Sequence, residues 1–234
     1  MNKIFISLIV LLSIPFVSFG KGIKVQFLGG LGTYSMSDMK DMDRFIVDQI
    51  PLPLHETKKF PAYWFYKGAL LFNVSNNFSF GPMYAFHSTG SRYSLADYSG
   101  KYYYDDLIHA HSLGLKFDYS ILTNFILNCG VYLDGGMSFS KVQFKEHLEL
   151  TEIEDQYTDN TYAKATSYFI EPGIYLKYPL KIIEPGLHIG YLFPILRKGL
   201  KEDESEQYLY LPWGEKAKSG WNGFRLSISI TIPF

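Results

Sequence analysis

The 234-residue chain has a formal net charge of −1 at neutral pH, and 18% of its residues are aromatic. This balance argues against a nucleic-acid-binding protein, which needs a concentrated basic face. The single cysteine, Cys129, rules out a disulfide framework within the chain and a metal site made of cysteines. We therefore expect no cofactor, no metal ion and no nucleic-acid partner.

The N-terminus predicts export. A short basic start precedes an apolar run over residues 4–17, which is shorter than the roughly 20 residues of a transmembrane helix. The small residues Ser18 and Gly20 then fit a cleavage site. We predict a secretory signal peptide over residues 1–20 and a single domain over residues 21–234, with a buried N-terminal helix as the alternative.

After the apolar run, eight segments alternate apolar and polar residues with the two-residue period of a β-strand. They lie at about residues 23–34, 60–74, 78–87, 106–119, 125–140, 167–178, 182–195 and 224–234. Short turns alternate with long polar segments, which cover residues 35–59, 88–105, 141–166 and 197–219. This rhythm is typical of outer-membrane barrels with short periplasmic turns and long extracellular loops.

The final segment gives the clearest signal. Its apolar residues share one face of a strand, and they are Phe224, Leu226, Ile228, Ile230, Ile232 and Phe234. Its polar residues, Arg225, Ser227, Ser229 and Thr231, share the other face. Such a strand fits a barrel wall with lipid outside and a polar interior. The alternative is a soluble lipocalin-like barrel with an apolar interior, and periodicity alone does not tell which face points inward.

The first long segment contains a helical pattern. Its apolar residues recur at the spacing of one helix face, at Met39, Met42, Phe45 and Ile46. Ser37 and Asp38 are suitable N-cap residues. We predict a short helix over Ser37–Ile50 that lies on the outer rim of the barrel.

The eight strands, the loop rhythm and the terminal Phe234 resemble the small OmpA/OmpX-like outer-membrane barrels. The segment FGPMYAFHSTGSR, from Phe80 to Arg92, is similar to stretches of the Bacteroidetes-type outer-membrane β-barrel domain. The resemblance implies an eight-stranded antiparallel up-and-down transmembrane β-barrel in a Gram-negative outer membrane. It also implies that the terminal strand, through Phe234, is the signal read by the barrel-insertion machinery.

The polar faces of the predicted strands carry ionisable residues, which a barrel of this width would enclose. They are Lys67, Lys116, Asp118, Asp134, Glu171, Lys177, Glu184, His188 and Arg225. Because a lone buried charge is unfavourable, we expect a salt-bridge network here, with a proton or ion path as the alternative. We expect Arg225 to pair with Glu171 or Glu184.

Histidine and serine residues occur together at His87-Ser88 and between His109 and Ser112. A lipid hydrolase needs a base beside a nucleophilic serine. Neighbouring residues on a strand point to opposite faces, so His111 and Ser112 do not form such a pair. His109 and His111 share a face, where they could bind a metal, and we interpret them as residues at the lipid headgroup boundary.

The acidic residues within 146–155 and 202–206 have no spacing typical of a calcium loop, so we interpret them as solvated surface. Together these patterns predict a non-enzymatic, monomeric barrel surrounded by outer-membrane lipid, which presents long loops to an extracellular ligand. Two other functions stay open: a hydrolase that modifies lipid A, and a narrow transporter of small apolar molecules.

Overall fold

The computed structural model describes residues 22–98, 100–123, 126–150 and 156–234, so the predicted signal peptide lies outside the described residues. The elements are β1 (Ile23–Gly32), α1 (Ser37–Gln49), β2 (His55–Lys59), β3 (Tyr63–Asn73), β4 (Phe78–Asp97), β5 (Gly100–Thr123), β6 (Asn128–Leu150), β7 (Gln156–Lys177), β8 (Glu184–Arg197), β9 (Lys201–Glu202) and β10 (Gly223–Pro233). Within these residues, no helix has the length and apolar character needed to cross a bilayer.

Eight strands form a closed antiparallel ring in the order β1–β3–β4–β5–β6–β7–β8–β10. The ring closes between β10 and β1, where Lys24 lies opposite Pro233 and Gly32 lies opposite Arg225. The short strands β2 and β9 pair with β4 and β7 beyond the ring. Closure leaves the eight strands without a free edge, which lipid could not hydrogen-bond.

The alternating strands place apolar side chains outside and polar side chains inside. On β10, Phe224, Leu226, Ile228 and Ile230 are 48–68% exposed, Ile232 is half-buried and Phe234 is exposed. The alternate residues Arg225, Ser227, Ser229 and Thr231 are at most 4% exposed. This inversion confirms the transmembrane barrel, and the lipocalin-like alternative is wrong.

Two of the segments predicted as long loops are mostly strand. Residues 88–97 and 100–105 form the ends of β4 and β5, and residues 141–150 and 156–166 belong to β6 and β7. At 24 residues, β5 is about twice as long as the 9–11 residues that cross a bilayer. Aromatic and charged residues interrupt the apolar pattern there, but cross-strand pairing continues through both hairpins.

These strand ends, residues 89–97, 100–108, 141–150 and 156–165, form what we call the long-loop extension. Cross-strand side-chain contacts support it: the Arg92 guanidinium binds the Asp105 carboxylate through two hydrogen bonds of 2.6 Å, and the Tyr103 and His147 rings stack at 4.5 Å. The outward-facing lysines Lys141 and Lys164 lie opposite each other at its base. The apolar outer band of the barrel ends at this level.

The interior at the long-loop end is apolar, which corrects the expectation of a polar interior throughout. The large buried residues there include Met36, Met39, Met42, Ile108, Val142, Leu192, Leu200, Leu211 and Trp221. The predicted helix forms as α1, but its methionine face packs into the barrel mouth instead of lying on the rim. Leu200, Leu211 and Ala217 of the last long segment pack in the same core, so side chains occupy much of the barrel interior at this end.

We expect Ile228→Arg to lower the free energy of unfolding in lipid vesicles by about 2–4 kcal/mol, because a charge on the lipid-facing wall loses its hydration. Urea unfolding followed by tryptophan fluorescence measures the change. The matched control is Tyr98→Arg, at a hairpin tip where the side chain is 95% exposed, and its effect should stay within about 0.5 kcal/mol. Equal effects of the two substitutions would show that Ile228 faces water.

Candidate functional site

A chain of alternating charges fills the interior at the level of the lipid-facing band. Its ion-pair N–O distances are 2.5–3.3 Å, and every side chain in it is at most 4% exposed. The chain runs Glu171–Lys67–Asp134–Lys116–Asp118–Lys177. Three carboxylates thus alternate with three ammonium groups, so each buried charge has an opposite neighbour.

Tyr132 supports this chain from one side. Its hydroxyl donates a hydrogen bond of 3.1 Å to Glu171, and the Lys116 ammonium lies 4.0 Å from the centre of its ring. Its ring lies over Gly173 and Gly190, which are opposite each other on β7 and β8. A Cβ atom at either glycine would come within 2.3 Å of Tyr132, so glycine makes the room that the ring needs.

Arg225 does not pair with Glu171 or Glu184, so that prediction is wrong. Its guanidinium donates hydrogen bonds of 2.7–3.1 Å to three backbone carbonyl oxygens, those of Thr33, Trp221 and Phe224. It also lies 4.7 Å from the centre of the Tyr34 ring. The sequence pattern identified an enclosed charge but not its acceptors, because backbone carbonyl groups carry no sequence signal.

Two other predicted interior residues lie outside the chain of charges. Glu184 is at the short-turn end, where its carboxylate accepts a 3.3 Å hydrogen bond from Lys24. His188 is buried, and its Nε2 lies 2.9 Å from the Ser229 hydroxyl. The structure therefore brings together Lys67, Lys116, Asp134, Glu171 and Lys177 with Asp118, and it gives Glu184, His188 and Arg225 separate partners.

His109 and His111 lie on the outer surface, near the long-loop edge of the lipid-facing band. Their rings flank Phe86 at centroid distances of 6.1 and 5.2 Å. The Nδ1 atom of His111 lies 2.7 Å from the Tyr84 hydroxyl, and that of His109 lies 3.3 Å from the Ser88 hydroxyl. These contacts fit an aromatic and polar belt at a membrane interface.

Ser112 and His87 point to the interior instead. The Ser112 hydroxyl donates to that of Ser138 at 3.1 Å, and the His87 ring contacts Trp221 at a centroid distance of 5.8 Å. His111 and Ser112 thus lie on opposite sides of the wall, as strand geometry predicts. In the part of the chain that the structure describes, no group of three or more His, Cys, Asp or Glu residues is arranged to hold a metal.

Two buried carboxyl groups lie together beneath α1, beyond the membrane-spanning part of the strands. Asp43 and Asp106 are fully buried, and the Ser91 hydroxyl donates a 2.6 Å hydrogen bond to Asp43. Burial raises the pKa of Asp43, and burial together with the neighbouring Asp43 carboxyl raises the pKa of Asp106. Burial thus favours the protonated, neutral form of these two carboxyl groups, which lie between α1 and β5.

Sequence reasoning missed this pair because its members are far apart in the chain. Asp43 directly follows Met42 on the apolar face of α1, and both are buried. An acidic residue within an apolar helical stripe is a signal that could have revealed it, since such a carboxyl group needs a buried partner.

A cavity of about 250 Å³ lies beside the pair, within the long-loop extension. We call it the mouth cavity. Met42 and Ile46 of α1 and Leu209 of the last long segment line it with apolar side chains. The strands line it with Tyr104 of β5, Phe144 and Glu146 of β6, and Asp159 and Thr161 of β7. The cavity has the apolar lining and the few polar groups that are typical of a small-molecule site.

No family model and no curated protein sequence matches this chain. The barrel is similar to the solved structure of Ail, the attachment invasion locus protein of Yersinia pestis, in complex with the heparin analogue sucrose octasulfate. The TM-score is 0.41 and the identity 11%, over 92% of this chain and 99% of that one.

Two further solved barrels are similar to about the same degree. For Neisserial surface protein A the TM-score is 0.37 and the identity 10%, over 92% of this chain and 97% of that one. For the outer membrane protease OmpT of Escherichia coli the TM-score is 0.38 and the identity 12%, over 95% of this chain and 100% of that one. Similarities this distant carry no argument about ligand or chemistry.

We expect Lys67→Met to lower the free energy of unfolding by about 3–5 kcal/mol, because it leaves buried carboxylates without their shared counter-ion. Urea unfolding in lipid vesicles measures the loss. Lys24→Met is the control, since its ion pair is partly exposed and should contribute at most about 1 kcal/mol. Similar losses for both variants would indicate a hydrated interior.

We expect Asp106→Asn to change the pH dependence of stability. The folded-state pKa of the pair lies above the unfolded value of 3.8, so its stabilising contribution is complete below that pH and declines as pH rises toward the raised pKa. Asparagine supplies a permanent neutral donor, which removes the decline. In urea unfolding between pH 4 and pH 8, the free energy of unfolding of the variant should rise relative to that of the wild type as pH rises.

The control for this measurement is Glu149→Gln, a half-exposed residue that pairs with Lys101. It should keep the pH profile of the wild type. Parallel profiles for Asp106→Asn and the wild type would contradict the protonated, neutral form of these two carboxyl groups.

Proposed function

We propose that the protein is a non-enzymatic outer-membrane barrel, closed to conduction, that holds the long-loop extension outside the cell to bind a ligand. The observation that carries this proposal is that the interior is filled at two levels. The chain of charges occupies the membrane level, and α1 with the apolar core occupies the mouth. A barrel of eight strands has room for side chains but not for a wide pore.

The orientation follows from loop lengths. Outer-membrane barrels place short turns in the periplasm and long loops outside the cell. Here the turns that connect β3 to β4 and β7 to β8 are short, whereas β4–β7 continue well beyond the lipid-facing band. The extension then faces the surroundings of the cell.

The extension has the character of a recognition surface. Tyr98, at the tip between β4 and β5, is 95% exposed, whereas Tyr93, Tyr102 and Tyr104 are 6% exposed and pack inside the extension. Of the other strand tyrosines, Tyr157 is 55% exposed and Tyr103 is half-buried, and tyrosine supplies contact area at a low cost in conformational entropy. Its strands hold these side chains on a hydrogen-bonded framework, which reduces the ordering needed on binding. These features favour binding over transport.

One observation favours a second candidate, a hydrolase acting on membrane lipid. The Ser88 hydroxyl lies 3.3 Å from His109 Nδ1 on the outer surface, where a lipid headgroup could reach both. A dyad of this kind needs an acid to orient the histidine. The residue opposite His109 on β6 is Lys141, and the His109 ring stacks on Phe86 at a centroid distance of 6.1 Å. This environment supports instead the interpretation of His109 as a residue at the membrane interface.

Surface labelling tests the orientation in a Cys129→Ser background. Tyr98→Cys, at the tip between β4 and β5, should react with a membrane-impermeant maleimide on intact Gram-negative cells. Leu180→Cys, in the short turn between β7 and β8, should react only after the outer membrane is permeabilised. Labelling of Leu180→Cys but not Tyr98→Cys on intact cells would overturn the proposal.

The same cells and the purified protein test two further parts of the proposal, that the barrel is closed to conduction and that it is not an enzyme. In planar bilayers the protein should give no conductance above that of the bare bilayer, and steady channel openings would favour the transporter. Lipid A mass spectra should be identical for cells with the wild type, with Ser88→Ala and without the protein. A lipid A product that disappears in Ser88→Ala would favour the hydrolase.

A further inference from the structure

A row of lysine side chains crosses the outer surface of the barrel where the apolar band ends. Lys141 of β6 lies directly opposite Lys164 of β7, and Lys164 lies directly opposite Lys201 of β9. Lys198 lies one step nearer the lipid, because its backbone N–H donates a hydrogen bond to the carbonyl oxygen of Thr166. All four lysines are exposed, and we call them the lysine row.

The lysine row carries positive charge that the chain does not balance. Like charges directly opposite each other on neighbouring strands are destabilising, and this arrangement occurs twice here. Lys164 has an acidic partner, the Asp203 carboxylate at 2.8 Å. Among the described residues, the other three lysines form no ion pair, and Lys141 and Lys201 lie 4.4 and 5.0 Å from the centres of tyrosine rings. The row therefore offers three ammonium groups to an anion from outside the chain.

The row lies at the level of lipid headgroups. Phe139 precedes Lys141 by two residues on the same face of β6 and is 43% exposed, and Ile170 of β7 also faces lipid. A lysine at such an edge covers apolar surface with its carbon chain and extends its ammonium group to the interface. The anions found at that level are the phosphate groups of lipids.

A cavity of about 330 Å³, which we call the rim cavity, adjoins the row. The charged side chains that line it are Lys164, Lys198, Lys201, Glu202, Asp203 and Glu206. The two signs are separated, because Lys198 lies beside Thr166, whereas Glu202 lies opposite Ala163, three residues farther from the lipid along β7. An anion therefore fits the membrane side of the rim cavity and not the side that faces water.

The opposite side of the barrel has an uncharged edge. There the apolar band ends in Leu31 of β1, Trp64 of β3 and Phe224 of β10, which are 44–64% exposed. The lysine row is thus a local feature of β6, β7 and β9 with the segment that joins β8 to β9, and it is not a uniform belt around the barrel. This one-sided arrangement favours a bound lipid over a general affinity for the membrane surface.

We propose that the lysine row binds the phosphorylated headgroup of an outer-leaflet lipid, lipid A, whose acyl chains lie along the apolar band beneath it. The proposal rests on the proposed function, whose orientation places the row in the outer leaflet. Neighbouring strands are about 4.8 Å apart, so one phosphate group can accept hydrogen bonds from two lysines of the row.

Native mass spectrometry of the full mature chain in neutral detergent, titrated with bisphosphorylated lipid A, measures the affinity. Binding should saturate at one lipid for each chain. Lipid A without its phosphates should bind at least about tenfold more weakly, since it keeps the acyl chains but loses the charged hydrogen bonds. Inorganic phosphate at the same concentration should not displace lipid A. Equal binding of the two lipids would overturn the proposal, and displacement by inorganic phosphate would assign the row to a soluble ligand and overturn it too.

Lys141→Gln and Lys201→Gln should each weaken lipid A binding by about fivefold to tenfold, because each removes one charged hydrogen-bond donor. Lys145→Gln is the matched control. Lys145 shares its face of β6 with Lys141 but lies about 13 Å farther from the lipid, since each strand residue adds about 3.3 Å. The control should bind like the wild type. Equal affinities of the three variants, whether lowered or unchanged, would overturn the proposal.

Stability in lipid-free detergent separates a binding role from a structural one. Replacing Lys141 or Lys201 relieves like-charge repulsion, so the urea midpoint of each variant should be unchanged or raised while its affinity for lipid A falls. A lowered midpoint in both variants would assign the lysines to structure and overturn the proposal.

The outcomes distinguish this proposal from the one it rests on. If Tyr98→Cys is labelled on intact cells and no conductance appears, but lipid A does not bind, the lipid site is wrong and the proposed function stands. If Leu180→Cys is labelled on intact cells instead, the proposed function fails, and the row then lies outside the outer leaflet even where lipid A binds in detergent.

Discussion

The pairing of β10 with β1 closes the sheet, and the rest of the molecule depends on this closure. With no free edge, the wall satisfies its backbone hydrogen bonds internally and exposes apolar side chains to lipid. The same closure confines the alternate side chains to a narrow space, where charges have to neutralise each other. The chain of six alternating charges and the carbonyl oxygens around Arg225 are two solutions to that one constraint.

The wall could be predicted from the sequence because strand periodicity is a local property. The faces of β10, the eight strands and α1 all follow from the spacing of apolar residues. The ends of β4–β7 could not, because tyrosines and charges replace the apolar alternation beyond the lipid while long-range pairing holds the strands together. The partners of Arg225 and the Asp43–Asp106 pair could not be predicted either, since both depend on contacts between segments distant in the chain.

The interior divides into two regions that are stabilised by different interactions. Near the short turns and at the membrane level, buried ion pairs and hydrogen bonds hold the strands in one arrangement. At the mouth, methionine, leucine and tryptophan side chains pack around α1 as in a soluble protein core. Because this barrel has an apolar core beyond the membrane, a binding site there can be built from packed strands and α1 as well as from loops.

Tyr104 lies between the mouth cavity and the Asp43–Asp106 pair, with its ring lining one and its hydroxyl beside the other. One aromatic side chain thus forms a wall of the cavity and a contact of the carboxyl pair, so a substitution at position 104 alters both at once.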